Sequence, residues 1–314
     1  MYNKIFPMQT LQSFLQEKVQ DEQLQSVLVT LSESVKAISE RISTAETCKA
    51  GTNNEYGEEQ MALDILADKL IQEECEKNEQ IGLIASEEQP DEIWLGDGDF
   101  AVSYDPLDGS SLIDVNLAVG TIFGVYDLKL RSDANQDKSF VGLKGDDLEV
   151  SMIAVYGPRT TIVLAIDGEV NEFTLGEDEF YLSKSELKVG EGKMFSPGNL
   201  RACSENLKYL DLVTFWIRSE YTLRYSGGMV PDVNQILLKG KGIFSYPPYS
   251  KYPDGKLRLI FECAPMAFLM EKAGGAASDG YKRILEKTYE KIDQRTPIYI
   301  GSKEEVDRCS KYLI

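Results

Sequence analysis

"FAVSYDPLDGSS", residues 100–111, sets two aspartates three positions apart across a proline and ends in Gly-Ser-Ser. Phe100 to Asp105 alternates as a β-strand does. Pro106 fixes its own φ and disfavours helix for the residue before it, so Asp105 is expected to end the strand and Asp108 to lie in the turn that follows. Gly109 allows tight backbone geometry there, and Ser110 and Ser111 read as the first residues of a helix. Aspartates in turns commonly do no more than satisfy backbone donors. Two carboxylates at a strand's end beside free helix N–H groups also suit a hard cation with oxygen ligands and a phosphate.

On the N-terminal side, Leu24, Val27, Leu28, Leu31, Val35, Ile38 and Ile42 step by threes and fours, which predicts an amphipathic helix. A second helix is predicted from about Glu58 to Cys75, after the turn-rich "KAGTNNEYG", and "IGLIAS" (81–86) reads as a short buried strand. On the C-terminal side, "NLAVGTIFGVYDL", "VSMIAVYGPRTTIVLAI" and "EVNEFTL" are β-type runs, with Gly157-Pro158 marking a turn. Residues 100–175 should therefore build one mostly antiparallel sheet. The chain changes character in "LKVGEGKMFSPGN", which places a boundary between two lobes, 1–188 and 189–314. Beyond it, "NLKYLDLVTFWIRS" and "VPDVNQILLK" read as helices. "KLRLIFE" alternates as a strand and runs into the helix "APMAFLMEKAGG", with Gly-Gly as its stop. "PIYIG" and "SKEEVDRCSKYL" supply a last strand and a last helix. The pattern is layered α/β with two sheets.

Composition removes whole classes of chemistry. There is no histidine among the 314 residues, which excludes His-based triads, zinc sites and general bases. The five cysteines (Cys48, Cys75, Cys203, Cys263, Cys309) are odd in number and form no CxxC pair, so reduced thiols fit better than a disulfide or zinc scaffold. Residues 1–157 carry 30 Asp and Glu against 11 Lys and Arg, which accounts for the whole net charge of −19; residues 158–314 carry 22 of each. Nucleic-acid binding wants a basic face and is disfavoured. No GxGxxG exists, which argues against a dinucleotide oxidoreductase. No apolar run approaches membrane-spanning length, and the first residues lack a signal-like or Arg-rich segment, so a soluble cytoplasmic protein is expected.

Other carboxylates join the opening pair. Glu87 and Glu88 follow "IGLIAS", and Asp64 precedes Asp68 by one helical turn, a like-charge spacing usually found on a wet face. In "GKLRLIFE", strand alternation would turn Leu257, Leu259 and Phe261 inward and set Lys256, Arg258, Ile260 and Glu262 on the other face. Together with a phosphate-type turn, these carboxylates suggest a phosphatase site holding several metal ions.

"DPLDGSS", "VGTIFGVY", "YTLRYSGGMVPDV", "GKLRLIFECAPMAFLMEKAGG" and "IDQRTPIYIGS" together resemble the fructose-1,6-bisphosphatase superfamily from about residue 50 to the end. "YGPRTT", "GEGKMFSPGNLRA" and "RYSGGMVPDVNQI" are more similar to its sedoheptulose-1,7-bisphosphatase branch. The resemblance implies the layered α-β-α-β-α sandwich, with a metal-binding N-terminal lobe and a C-terminal lobe that binds the sugar phosphate. It implies Mg2+ as cofactor, two or three per subunit, with Mn2+ as a substitute. The implied ligands are Glu58, Glu87, Asp105, Asp108, Glu262 and the carbonyl of Leu107; the family usually has Asp at the position of Glu58. Asp64 and Glu88 would form the dyad that takes a proton from the attacking water. Asp108 and the backbone of Gly109, Ser110 and Ser111 would cradle the leaving phosphate, and Asn199, Arg224, Tyr225, Tyr246 and Lys256 would hold the distal phosphate and sugar. Arg224 would reach into a neighbouring subunit's site, which implies a homodimer or homotetramer.

The implied activity is hydrolysis of the 1-phosphate of a sugar bisphosphate, sedoheptulose 1,7-bisphosphate first and fructose 1,6-bisphosphate as the alternative. A sensor that binds sugar phosphate without cleaving it is disfavoured, because none of the implied carboxylates is missing. Two family controls are not expected. "VLVTLSESVK" and Asp99-Phe100 stand where AMP-regulated relatives carry a Thr-Gly-Glu-Leu-Thr segment and a Lys-Tyr pair, and Cys48 lacks the close cysteine partner of the redox-switched plastid enzymes.

Overall fold

The computed structural model describes residues 9–42, 49–53, 59–130 and 138–313. Helices α1 (Leu11–Lys18) and α2 (Glu22–Ile42) come first, and Thr10 caps α1 by accepting the Ser13 N–H at 3.1 Å. The expected stripe from Leu24 to Ile38 is buried. Strands β1 (Lys49–Asn53) and β2 (Glu59–Met61) pair as a hairpin before α3 (Ala62–Cys75). The helix expected from about Glu58 thus starts at Ala62, because Glu59–Met61 finds a strand partner; Glu58 and Cys48 lie outside the described residues.

The larger sheet contains β3 (Ile81–Ser86), β4 (Ile93–Trp94), β5 (Phe100–Asp108), β6 (Val119–Asp127), β7 (Leu148–Tyr156), β8 (Thr160–Ile166), β9 (Glu169–Leu175) and β10 (Phe180–Lys184). Its order is β10-β9-β8-β7-β6-β5-β3-β4, antiparallel except where β3 lies parallel to β5. The meander expected over residues 100–175 is present. One detail differs: β5 does not stop at Asp105 but runs to Asp108, which faces Gly120 on β6, with the register broken between them. Pro106 has no N–H to give the ladder, so the strand kinks there instead of ending. Ser110–Val115 is a short 3-10 turn, not the start of an α-helix, and Gly109 precedes it at φ 79°, a left-handed conformation that glycine adopts without strain.

The second sheet is built from β11 (Gly190–Pro197), β12 (Thr222–Leu223), β13 (Lys241–Tyr246), β15 (Ala276–Ser278) and β17 (Ile298–Gly301), in the order β12-β11-β13-β17-β15. Between these strands come α4 (Leu207–Arg218), α5 (Met229–Lys239) and α6 (Ala264–Lys272), and α7 (Lys303–Leu313) closes the chain. A short ladder joins β14 (Leu257–Arg258) to β16 (Arg295–Thr296).

Alternation in the strands assigns the layers. Phe123, Met152 and Ile162 pack against α1–α3, while Ile122, Ile153 and Val163 from the opposite face pack with α5 and α6. On the second sheet, Met194, Phe244 and Ile300 join that same middle layer, and Phe195, Ile243 and Tyr299 face α4 and α7. The order is α-β-α-β-α. Both faces of both sheets are covered, which is why the strands read as near-continuous apolar runs.

The strand expected over "KLRLIFE" is a correction. It ends at Arg258, and Leu259–Cys263 forms a π-type turn leading into α6. Leu257 through Cys263 are all buried, so no polar outer face exists for alternation to expose. Such turns insert one extra residue per turn and recur at functional sites.

Candidate active site

Because β3 and β5 are parallel neighbours, their C-terminal ends point the same way and lie side by side, with Ser86 opposite Tyr104. The Glu87 N–H donates to the Tyr104 carbonyl at 3.0 Å, which carries the Glu87-Glu88 loop next to Asp105 and Asp108. From the middle layer the π-type turn brings Glu262, and Ser103 of β5 holds that turn by donating to the Ile260 carbonyl at 3.3 Å. Carboxylate oxygens of Glu87, Asp105 and Glu262 lie within 4.8 Å of one another. Asp105 and Glu262 are nearly fully buried.

Asp105 and Asp108 both do the modest job of turn aspartates. Asp105 accepts the Leu107 N–H at 2.9 Å, and Asp108 accepts the Val230 N–H at 2.6 Å in the first turn of α5. They are also part of a crowded charge cluster. Burial raises the Asp105 pKa well above the ordinary carboxylate value, and repulsion from Glu87, Asp108 and Glu262 raises it further. Burial likewise pushes Asp108 up to about 7, against the Val230 hydrogen bond and Lys256, which pull it down. Glu262 is raised by burial first and then by Glu87 and Asp108, although the Arg258 N–H donates to it at 2.5 Å. The guanidinium of Arg258, itself buried, pairs with Glu87. An all-oxygen donor set whose buried negative charge exceeds its buried positive charge fits a hard divalent cation.

Asp64 and Asp68 do not lie on a wet helix face. Both are about one-twentieth exposed. Asp64 lines the same cleft as Glu87, Glu88, Asp105 and Asp108, whereas Asp68 lies behind it, accepting from Ser86 Oγ at 2.5 Å and Gln89 Nε2 at 2.7 Å.

The cleft has a volume of about 590 Å³ and is lined by these carboxylates, by Leu107 and Gly109-Ser110-Ser111, and by Tyr225, Tyr246 and Lys256. Two expected residues do not line it. Asn199 is buried and donates through Nδ2 to the Pro247 carbonyl at 3.1 Å. Arg224 is exposed beside the edge strand β12, its backbone tied to Phe195 and Ser196 of β11. In their place the cleft presents Gly198, Arg201, Lys251 and Tyr252, besides Arg258. Arg201 sits 5.6 Å over the Tyr249 ring, and Lys251 and Arg295 approach the Tyr252 ring at 5.3 and 5.8 Å. Tyr249 and Tyr252 meet edge to face with centroids 5.7 Å apart. The aromatic-rich segment "YPPYSKY" (246–252) is the signal that could have found this wall.

Family models for the N-terminal and C-terminal domains of fructose-1,6-bisphosphatase match residues 8–185 and 189–314. The chloroplastic sedoheptulose-1,7-bisphosphatase of Triticum aestivum is 42% identical over 310 residues, 97% of this chain and 76% of that protein. The class 1 fructose-1,6-bisphosphatase of Syntrophotalea carbinolica is 42% identical over 306 residues, 95% of this chain and 91% of that protein. Leishmania major fructose-1,6-bisphosphatase in holo form superposes with a TM-score of 0.92 at 30% identity, covering 97% of this chain and 98% of that one. With both of its halves matched and its five layers in the same arrangement, this chain belongs to the fructose-1,6-bisphosphatase family of sugar bisphosphatases.

Proposed function

We propose that this protein hydrolyses the 1-phosphate of sedoheptulose 1,7-bisphosphate, giving sedoheptulose 7-phosphate and phosphate, with Mg2+ as the cofactor and Mn2+ able to replace it. The observation that carries the reading is the convergence of Glu87, Asp105 and Glu262 within 4.8 Å in a cleft that Lys256, Arg201 and Lys251 also line; we take the carboxylates as one end and these cations as the other. Glu87 and Asp105 come from the acidic lobe, residues 1–188, while Glu262 and the cations Arg201, Lys251 and Lys256 come from residues 189–314. Glu87, Asp105, Asp108, Glu262 and the Leu107 carbonyl are the proposed ligands in the described residues, with Glu58 added from the sequence. The chemistry such cations supply when bound is neutralisation of phosphoryl charge and activation of a water nucleophile.

Asp64 and Glu88, which both line the cleft, would accept the proton of the attacking water, whose oxygen bonds to phosphorus as the bond to the sugar oxygen breaks. The turn at Gly109-Ser110-Ser111 orients the phosphate that is released. Lys256, Arg201, Lys251, Tyr225 and Tyr246 fix the distal phosphate and the sugar, and a cation–carboxylate polarity along the cleft sets which phosphate reaches the water. Phosphate monoesters hydrolyse so slowly unaided that positioning and charge neutralisation must together remove a large barrier. Arg224 is exposed and does not line this cleft, in keeping with service to a neighbouring subunit of a homodimer or homotetramer. No described helix is long and apolar enough to cross a membrane, and we take the protein as cytoplasmic.

A second reading, hydrolysis of fructose 1,6-bisphosphate alone or as well, has its own support: a class 1 fructose-1,6-bisphosphatase is as identical to this chain as a sedoheptulose-1,7-bisphosphatase is. Phosphate release from the two purified sugars, with and without Mg2+, decides between them. A higher kcat/KM for the seven-carbon sugar is expected. Equal or reversed values would make this a dual-specificity or fructose enzyme, and full turnover in excess EDTA would sink the cation mechanism.

A further inference from the structure

A loop that carries a carboxylate into a nest of carboxylates is pushed outward by their repulsion unless something grips it. Glu87 is in that position, beside Asp105 and Glu262. Arg258 pairs with the Glu87 carboxylate and the Tyr104 carbonyl accepts the Glu87 N–H, and a further grip on the loop comes from α3. Ser86, the last residue of β3, donates its hydroxyl to Asp68 Oδ1 at 2.5 Å and receives the Glu88 N–H at 3.2 Å. Gln89 donates its side-chain amide to Asp68 Oδ2 at 2.7 Å and its backbone N–H to the Ser86 carbonyl at 3.2 Å. One carboxylate therefore holds both ends of the four-residue loop, each oxygen taking one charge-assisted bond. Asp68 is buried and does not line the cleft, so it is not a ligand itself.

We infer that Asp68 is a positioning residue which sets the Glu87-Glu88 loop onto the cation site. The inference rests on the cation reading above. The like-charge spacing of Asp64 and Asp68, unfavourable on a helix face, then has a reason: one helix carries a proton acceptor at the cleft and, a turn later, the brace behind it. Asparagine at position 68 offers one acceptor oxygen and turns an NH2 toward a donor, so it can keep only one of the two bonds.

The test is a Mg2+ titration of bisphosphatase activity and of the thermal midpoint, on the full chain and on Asp68→Asn and Gln89→Leu. Asp68→Asn should raise half-saturating Mg2+ about tenfold in both readouts, as loss of a group that orients a metal ligand does. Its KM for the sugar bisphosphate should stay within about twofold, because the contact lies outside the sugar site. Gln89→Leu should shift in the same direction by less, and the double variant should be no worse than Asp68→Asn, since the two residues act as one unit. If Asp68→Asn fails to fold, the shift in Gln89→Leu decides. Parent-like half-saturation in the variants would overturn the inference alone. A parent protein indifferent to Mg2+ would overturn the cation reading and this inference with it.

Discussion

The two ends of the cleft are built in opposite ways. At the carboxylate end, backbone elements do the positioning: the parallel β3–β5 pair, the kink at Pro106, the first turn of α5 and the π-type turn before α6. Its charged groups are buried and hydrogen-bonded into the frame. At the opposite end, Arg201 of the turn after β11 lies over the Tyr249 ring, Lys251 over the Tyr252 ring, and the two rings pack edge to face. A rigid, repulsive end suits a group that must neutralise charge in the transition state, whereas an adjustable cationic end suits a phosphate bound alike before and during reaction.

The largest test of this contrast is at Asp108 and Glu262. Asp108→Asn and Glu262→Gln each keep a side-chain acceptor for the Val230 or Arg258 N–H while removing charge, so the fold should survive. Each kcat should nonetheless fall on the order of a hundredfold or more, the scale of losing one preorganised electrostatic contact. Near-normal turnover of Asp108→Asn would mean that capping the helix was its whole task. At the other end, Lys256→Ala should mainly raise KM, by roughly tenfold or more for one charge-assisted contact. Arg201→Met and Lys251→Met should do the same with smaller effect, and a kcat-only loss in these three would reverse the polarity assigned to the cleft.

A pH experiment sharpens the contrast through stability. The folded pKa of Asp108 is about 7, above its unfolded value of about 4, so between these pH values the folded state binds more protons than the unfolded state. Without cations, stability from this group is greatest below pH 4 and declines as pH rises through 7. Asp105 and Glu262, also raised, act in the same direction. The EDTA-treated protein should therefore melt lower at pH 8 than at pH 5.5, and Mg2+ should shrink or reverse that difference. A cation-free melting point that climbs with pH over this range would contradict the crowding described here. The smallest expected effect is that of AMP. Lys129 pairs internally with Asp99 at 3.1 Å and lies 5.8 Å over the Phe100 ring, where AMP-regulated relatives carry their binding pair. Millimolar AMP should leave activity nearly unchanged; micromolar inhibition would show that another surface takes the nucleotide.

Local patterns in the chain determined a good deal by themselves. The 3.6-residue stripe of α2, the period-2 runs of the larger sheet and the Asp-Pro-Leu-Asp-Gly turn each express a preference set by neighbours a few residues away. Those preferences carried the meander and marked Asp105, Asp108, Glu87 and Glu88 as candidates, whereas the roles of Glu262 and Lys256 came from the resemblance to the family. Tertiary structure decided what local patterns cannot encode. A parallel neighbour 18 residues upstream brings Ser86 to Tyr104, and with it Glu87 to Asp105. The pairing of β1 with β2 delays α3, and burial of "LRLIFEC" on all sides erases the period that would distinguish a strand from a π-type turn. Of Asn199 and Arg201, two residues apart, Arg201 lines the cleft, and the turn that follows β11 makes that choice, not a local pattern. By spacing alone Asp68 reads as a solvated acid, because its partners Ser86 and Gln89 come from outside its own helix. Hydrogen bonds and repulsions between elements depend on distances in space, and a sequence states those only for residues within a turn or two of each other.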